Sequence, residues 1–179
     1  MTIKKITGPL GTLLLICLML LSTQTQSQTA GQTAPDFSAN STNGKMISLR
    51  DLKGQWVVLY FYPKAFTPGC TKESCALRDS FKEIEKTGAV ILGVSLDDIA
   101  TQIKFKEKYH LPFELLSDVN KKISQAYNTL GLFGLYAKRI TFIISPEGKI
   151  AHVFDKVQSA SHDQQVLKKL LELKTKAVP

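Results

Sequence analysis

Two cysteines five positions apart, Cys70 and Cys75 in the stretch YPKAFTPGCTKESC, carry the clearest capacity for chemistry in this chain. The apolar run WVVLYFYP ends at Pro63 just before them, and a helical pattern follows, with Cys75, Leu77, Phe81 and Ile84 at spacings that share a face. Cys70 therefore falls where a strand gives way to a helix. Unpaired amides and the positive end of the helix dipole favour an anion there, so a thiolate at Cys70 would be stabilised as a nucleophile. Pro63 and Pro68 fix the turn on either side. Thr67 stands where it could cap free amides or contact a ligand held above the sulfur. Local features leave a second reading of Cys70 open, as a small core residue, and Cys75 alone would be ordinary packing.

The spacing limits what the pair can do. Five residues along an ideal helix separate two alpha carbons by about 8–9 Å and turn the side chains roughly 140° apart, whereas a disulfide needs less than about 7 Å. If both lie in one regular helix, they join only when that helix unravels, so a permanent staple is disfavoured. The gap is wrong for the C-x-x-C motif of disulfide oxidoreductases, and two thiols without a partnered histidine cluster make a weak metal site. His110, His152 and His162 are scattered, with no cysteine–histidine hydrolase arrangement among them.

The elements that must position these residues alternate. An Asn43–Gly44 turn reads as a hairpin-like entry. Trp56–Tyr62 reads as a strand buried on both faces, followed by a helix from Thr67 to about Lys86 that Gly88 ends. Ala89–Ser95 is a second strand, a helix begins near Asp97 or Asp98, FELLSD is a short strand, and another helix starts near Asp118. NTLGLFGLYAK lacks periodicity and is a loop. RITFIIS and KIAHVFD flank Pro146, Glu147 and Gly148 as an antiparallel pair, and a last helix covers roughly residues 161–174. This order predicts an α/β fold with a mainly parallel sheet, helices on both faces, and a final hairpin adding antiparallel edge strands.

The 179 residues suit one domain. Lys4 and Lys5, the apolar run Leu13–Leu21 and the tract STQTQSQTAGQTA have the order of an export signal over residues 1–30, with a globular domain over 31–179. The apolar run is short for a bilayer span, although an uncleaved anchor is the alternative. Cys17 lies inside it behind Ile16, where a lipoprotein signal would want a small residue. Removing the segment leaves 21 basic against 15 acidic side chains, mildly basic and without aromatic interleaving, which argues against nucleic-acid binding. Only Cys70 and Cys75 remain, too few for a disulfide framework.

With these residues assembled, FYPKAFTPGCTKESCALRD resembles the peroxiredoxins, most closely the bacterioferritin comigratory protein or peroxiredoxin Q subfamily. Pro63, Thr67 and Cys70 meet the pattern Pro-x-x-x-Thr-x-x-Cys, and the similarity runs from APDF near residue 34 to the last helix. Ala65 and Phe66 depart from the acidic residues common there. The resemblance implies a thioredoxin-like fold, reduction of hydrogen peroxide or organic hydroperoxides, and no metal or organic cofactor. It implies Cys70 as the peroxidatic thiolate and Cys75 as the resolving partner in an intramolecular disulfide that a thioredoxin-like dithiol resets. It further implies that Thr67 orients the peroxide, that Pro63 shields the sulfur, and that Arg139 stabilises thiolate and leaving oxygen, with Glu73 tuning the pocket. A monomer is the implied state. The competing functions are an exported disulfide oxidoreductase, disfavoured by the spacing, and a redox-responsive binding protein that exposes Leu77 and Phe81.

Overall fold

Over residues 28–177, which a computed structural model describes, the Asn43–Gly44 turn joins β1 (Ser38–Asn40) to β2 (Met46–Ser48) as an antiparallel hairpin. A 3-10 turn, Leu49–Leu52, leads to β3 (Trp56–Phe61). All of β3 beyond Trp56 is buried, because β4 (Ala89–Ser95) pairs with it in parallel on one side and β6 (Ile140–Ile144) antiparallel on the other. With β5 (Glu114–Ser117) and β7 (Ile150–Phe154) the order is β5-β4-β3-β6-β7.

The sheet is more evenly mixed than the alternation of elements predicts. Two pairings are parallel and two antiparallel. The reason is that β6 runs back beside the central strand, so only β7 of the final hairpin occupies an edge.

The helices are α1 (Pro68–Asp79), α2 (Phe81–Lys86), α3 (Ile99–Lys108), α4 (Lys122–Ala126) and α5 (His162–Ala177). From β3 to β4 to β5 the chain steps across the sheet in one direction, so right-handed crossovers put α1, α2 and α3 on one face. There α5 packs on α1 and α2, around a core of Tyr60, Leu77, Ile84, Phe105 and Val166. The other face is closed by the β1–β2 hairpin, the 3-10 turn and α4, through Phe37, Leu49, Ile123 and Tyr127.

Two helix boundaries differ from expectation. The helix expected over 67–86 divides at Ser80 (φ −97°, ψ 12°), whose hydroxyl donates to Asp163 Oδ2 on α5 at 2.6 Å. The apolar period continues through Phe81 and Ile84, so nothing in the pattern marks the break. The helix expected near Asp118 starts at Lys122 instead, since the buried Asp118 carboxylate caps it from upstream by accepting from the amides of Ile123 (3.1 Å) and Ser124 (2.7 Å). Gly88 (φ +77°) ends α2 in a left-handed conformation suited to glycine, and Asp98 caps α3 through the Thr101 amide at 2.7 Å. The expected export signal lies outside the described residues except for positions 28–30.

Candidate active site

Strand β3 delivers Tyr62 to the carboxyl edge of the sheet, where its amide donates to the Val94 carbonyl at 3.0 Å. The chain then turns over Pro63 to Thr67 into α1. Asp97 pins this turn from the next loop, accepting from the Ala65 amide at 2.8 Å and from the Ser95 hydroxyl at 2.7 Å. Phe66 follows at φ +65°, unusual for so large a side chain, and its ring packs edge-on against Phe105 of α3. The departure at Ala65 and Phe66 thus has a structural correlate: Ala65 is buried and Phe66 joins an aromatic cluster with Phe105 and Tyr109.

Thr67 is the N-cap residue of α1 by backbone, but its side chain makes no cap bond. Its hydroxyl donates to the Lys64 carbonyl at 2.9 Å instead, which corrects the expectation that it caps free amides. Pro68 takes the first helical position, where a missing N–H costs nothing. Cys70 is the third residue of the helix and is 0% exposed.

Burial of the Cys70 residue does not isolate its sulfur from charge. Arg139, which immediately precedes β6, donates from Nη2 to Cys70 Sγ at 3.2 Å and from Nη1 to Glu73 Oε2. Arg139 and not Lys138 therefore reaches the sulfur, and Lys138 is exposed. The guanidinium is partly exposed and bridges a thiol and a buried carboxylate one helical turn apart. Burial alone would lower the pKa of Arg139, but Glu73 and Cys70 beside it raise it overall, so it stays cationic. A thiolate at Cys70 thus has a charge-assisted donor in place.

Glu73 was expected in this region, as a first-turn acid or a tuner of the pocket. The structure buries it completely. Burial pushes its carboxyl up to about 7 against the opposing pull of Arg139. Its Oε1 has no hydrogen-bond partner among the described residues and lies 4.0 Å from His162 Nε2 on α5. Burial in turn holds His162 down at about 4, so it is neutral near pH 7 and shares a 2.8 Å hydrogen bond with Thr141 Oγ1.

His162, Thr141 and Gly69 were not singled out from the sequence. No local signal marks the first two: His162 approaches Glu73 and bonds Thr141 only because α5 brings it over α1 and beside β6. Gly69 sits inside the motif, and a Cβ there would come within 3.2 Å of Arg139 Nη2, so glycine leaves room for the guanidinium.

Cys75 lies five residues on in the same continuous helix, half-buried and unbonded to Cys70, with Arg78 beside its sulfur. The neighbouring Ser74 is buried and hydrogen-bonded to the Tyr60 hydroxyl at 3.1 Å. In this state the two thiols are held apart by regular helix. The geometry combines a cation-contacted sulfur at a helix start with a second sulfur that becomes reachable on unwinding.

Comparison with known proteins agrees with this geometry. The AhpC/TSA family profile matches residues 30–153, a span that includes Cys70, Cys75 and Arg139. Peroxiredoxin Bcp of Escherichia coli strain K12 is 41% identical over 149 residues, 80% of this chain and 96% of that protein. Peroxiredoxin Bcp of Bacillus subtilis is 40% identical over 152 residues, 82% and 97% of the two chains. Among solved structures, peroxiredoxin Q of Xanthomonas campestris has a TM-score of 0.75 at 35% identity, covering 80% of this chain and 97% of its own. A Xanthomonas campestris bacterioferritin comigratory protein, described for its alkyl peroxide reduction activity, has a TM-score of 0.75 at 34% identity over 80% and 98%. The chain belongs to the AhpC/TSA family, as a thiol peroxidase of the peroxiredoxin Bcp and Q group.

Proposed function

We propose that this peroxidase attacks peroxides with Cys70 and resolves the product with Cys75. The thiolate of Cys70 displaces one oxygen of the peroxide: an S–O bond forms, the O–O bond breaks, and the departing oxygen takes a proton from solvent to leave as water or an alcohol, with the cysteine oxidised to a sulfenic acid. Arg139 steadies the thiolate and the oxygen that departs. Thr67, whose proton is committed to the Lys64 carbonyl, has lone pairs left to accept from the peroxide O–H, and Pro63 shields the sulfur from water. The Cys75 thiol then attacks the sulfenic sulfur, expelling water and forming the Cys70–Cys75 disulfide. An external thioredoxin-like dithiol reduces that bond by exchange.

The observation that carries this reading is the Arg139 contact to Cys70 Sγ at 3.2 Å at the start of a helix that also bears Cys75. Hydrogen peroxide and organic hydroperoxides are the substrate class; the alkyl peroxide activity ascribed to the Xanthomonas relative supports the second. The protein acts outside the cytoplasm, a reading supported by Lys4, Lys5 and the apolar run Leu13–Leu21, and as a monomer, a reading that follows only from its likeness to the peroxiredoxin Q group. Peroxide consumption by the purified chain with a thioredoxin-like donor tests the assignment. Cys70→Ser is expected to abolish turnover, and turnover persisting in that variant would refute the role of Cys70.

A further inference from the structure

The loop that leads into Arg139 carries a surface that the reaction does not use. Leu132, Phe133, Leu135 and Tyr136 are 67, 85, 74 and 40% exposed. Their exposure is built in, because the loop satisfies its own backbone. The Gly131 amide donates to the Tyr136 carbonyl at 2.8 Å, the Lys138 amide to the Thr129 carbonyl at 2.6 Å, and Leu130 bridges to Ala137. The Tyr136 ring lies over Gly131, where a Cβ would come within 2.4 Å of it. Phe133 itself is at φ +52°, a conformation costly for a side chain of that size. The result is a closed knuckle with an apolar crest.

Two further observations identify what this crest fits. From Val119 to Pro146 the chain has Lys121, Lys122, Lys138 and Arg139 and no acidic residue. Lys121 Nζ lies beside Gly134 and Lys138 is exposed, so the crest has a cationic rim. In addition, Gln28 Nε2 donates to the Ala126 carbonyl at 3.2 Å, at the end of α4 and two residues before the loop begins. Gln28, the first described residue, thus lies beside this loop. Apolar tips ringed by lysines match an interface in which acyl chains lie below anionic headgroups. Among the described residues no helix is long and apolar enough to cross a membrane, so such contact is docking.

We propose that residues 131–136 dock this protein on an anionic lipid bilayer and so present the Cys70 site to hydroperoxides at the membrane surface. The docking stands on the loop alone, and its catalytic consequence rests on the thiol peroxidase reading. Arg139, three residues beyond Tyr136, supplies the link between them, since it contacts the Cys70 sulfur.

The test uses the full chain with Phe133→Trp and vesicles of phosphatidylglycerol and phosphatidylcholine carrying brominated acyl chains. Docking predicts that the new indole shifts to the blue and is quenched, while the parent chain, whose one tryptophan is Trp56, changes little. Absence of quenching overturns the proposal, as does a loop that instead binds a second copy or a thioredoxin-like protein while ignoring vesicles. In a second arm, F133E/L135E is expected to cut turnover of a phospholipid hydroperoxide held in such vesicles roughly tenfold or more, with hydrogen peroxide turnover retained. An unchanged rate on the vesicle-borne substrate also overturns it. Should the parent chain turn over no peroxide at all, the peroxidase reading fails, and the quenching result alone decides the docking.

Discussion

The two ends of α1 differ in how their sulfur is held. At the N-terminal end, Cys70 is enclosed with Glu73 and touched by Arg139, and His162 and Thr141 close the network behind. Every one of these partners comes from another element or is buried, so the charge around the sulfur is fixed by tertiary structure. Five residues on, Cys75 is half-buried beside Arg78, itself half-buried, paired with the exposed Asp79 and donating to the Tyr109 carbonyl. Cys70 thus sits in a preorganised environment, and Cys75, its proposed partner, on a stretch with fewer fixed contacts. Bringing the sulfurs together must unwind the helix between them, which breaks the Glu73–Arg139 pair and the Ser74–Tyr60 hydrogen bond. If the proposed disulfide forms, oxidation chemistry and helix integrity are therefore coupled.

The largest test of this contrast is Cys75→Ser. It is expected to react once with peroxide and then stop cycling, leaving a Cys70 sulfenic acid and no intramolecular disulfide by mass spectrometry. An unimpaired dithiol-driven cycle would remove Cys75 as resolver. Next, Arg139→Met takes the fixed cation from the buried end, and the rate of the first oxidation, followed by stopped-flow, should fall by roughly 10²–10³-fold. A loss under threefold would mean that the helix start alone stabilises the thiolate.

A smaller effect should follow from Glu73→Gln. The folded carboxyl titrates near 7, above its ordinary 4.5, so the folded state binds this proton more tightly than the unfolded chain does. The stability from that tighter binding is fully present below about 4.5 and is lost as pH rises through about 7. The glutamine variant lacks this slope. Its stability relative to the parent should therefore improve over that window, read from denaturant midpoints at a series of pH values, and a pH-independent difference would refute the assignment. The smallest effect is expected for Ser74→Ala. Losing its bond to Tyr60 costs the helical state about 0.5–1.5 kcal/mol, so closure of the Cys70–Cys75 disulfide after a peroxide pulse should speed up by up to roughly tenfold. A slower closure would mean that helix opening does not limit that step.

How much of this was readable from residue order depended on distance along the chain. Pro63, Thr67, Cys70 and Cys75 lie within one strand-to-helix transition, where turn chemistry and helix periodicity are local, so their placement was legible. Arg139 was legible only as part of a family pattern, because the contact to Cys70 joins residues 69 positions apart in sequence. His162 gave no signal at all: its environment is created by α5 packing against α1, and an isolated histidine says nothing of that. The break at Ser80 was hidden by an apolar period that continues unbroken across it. The parallel share of the sheet was overread for a related reason, since strand order does not say which neighbour β6 will join.

Ser80 has a further consequence. Tied to α5 through Asp163, it would act as a firebreak in the proposed cycle: melting that starts near Cys70 would meet an anchored knot before it could spread to Ile84 and the interior behind it. A catalyst built this way could lose a few coils on each proposed cycle and still remember its shape, because the stretch that rewinds would be bounded by one that holds on.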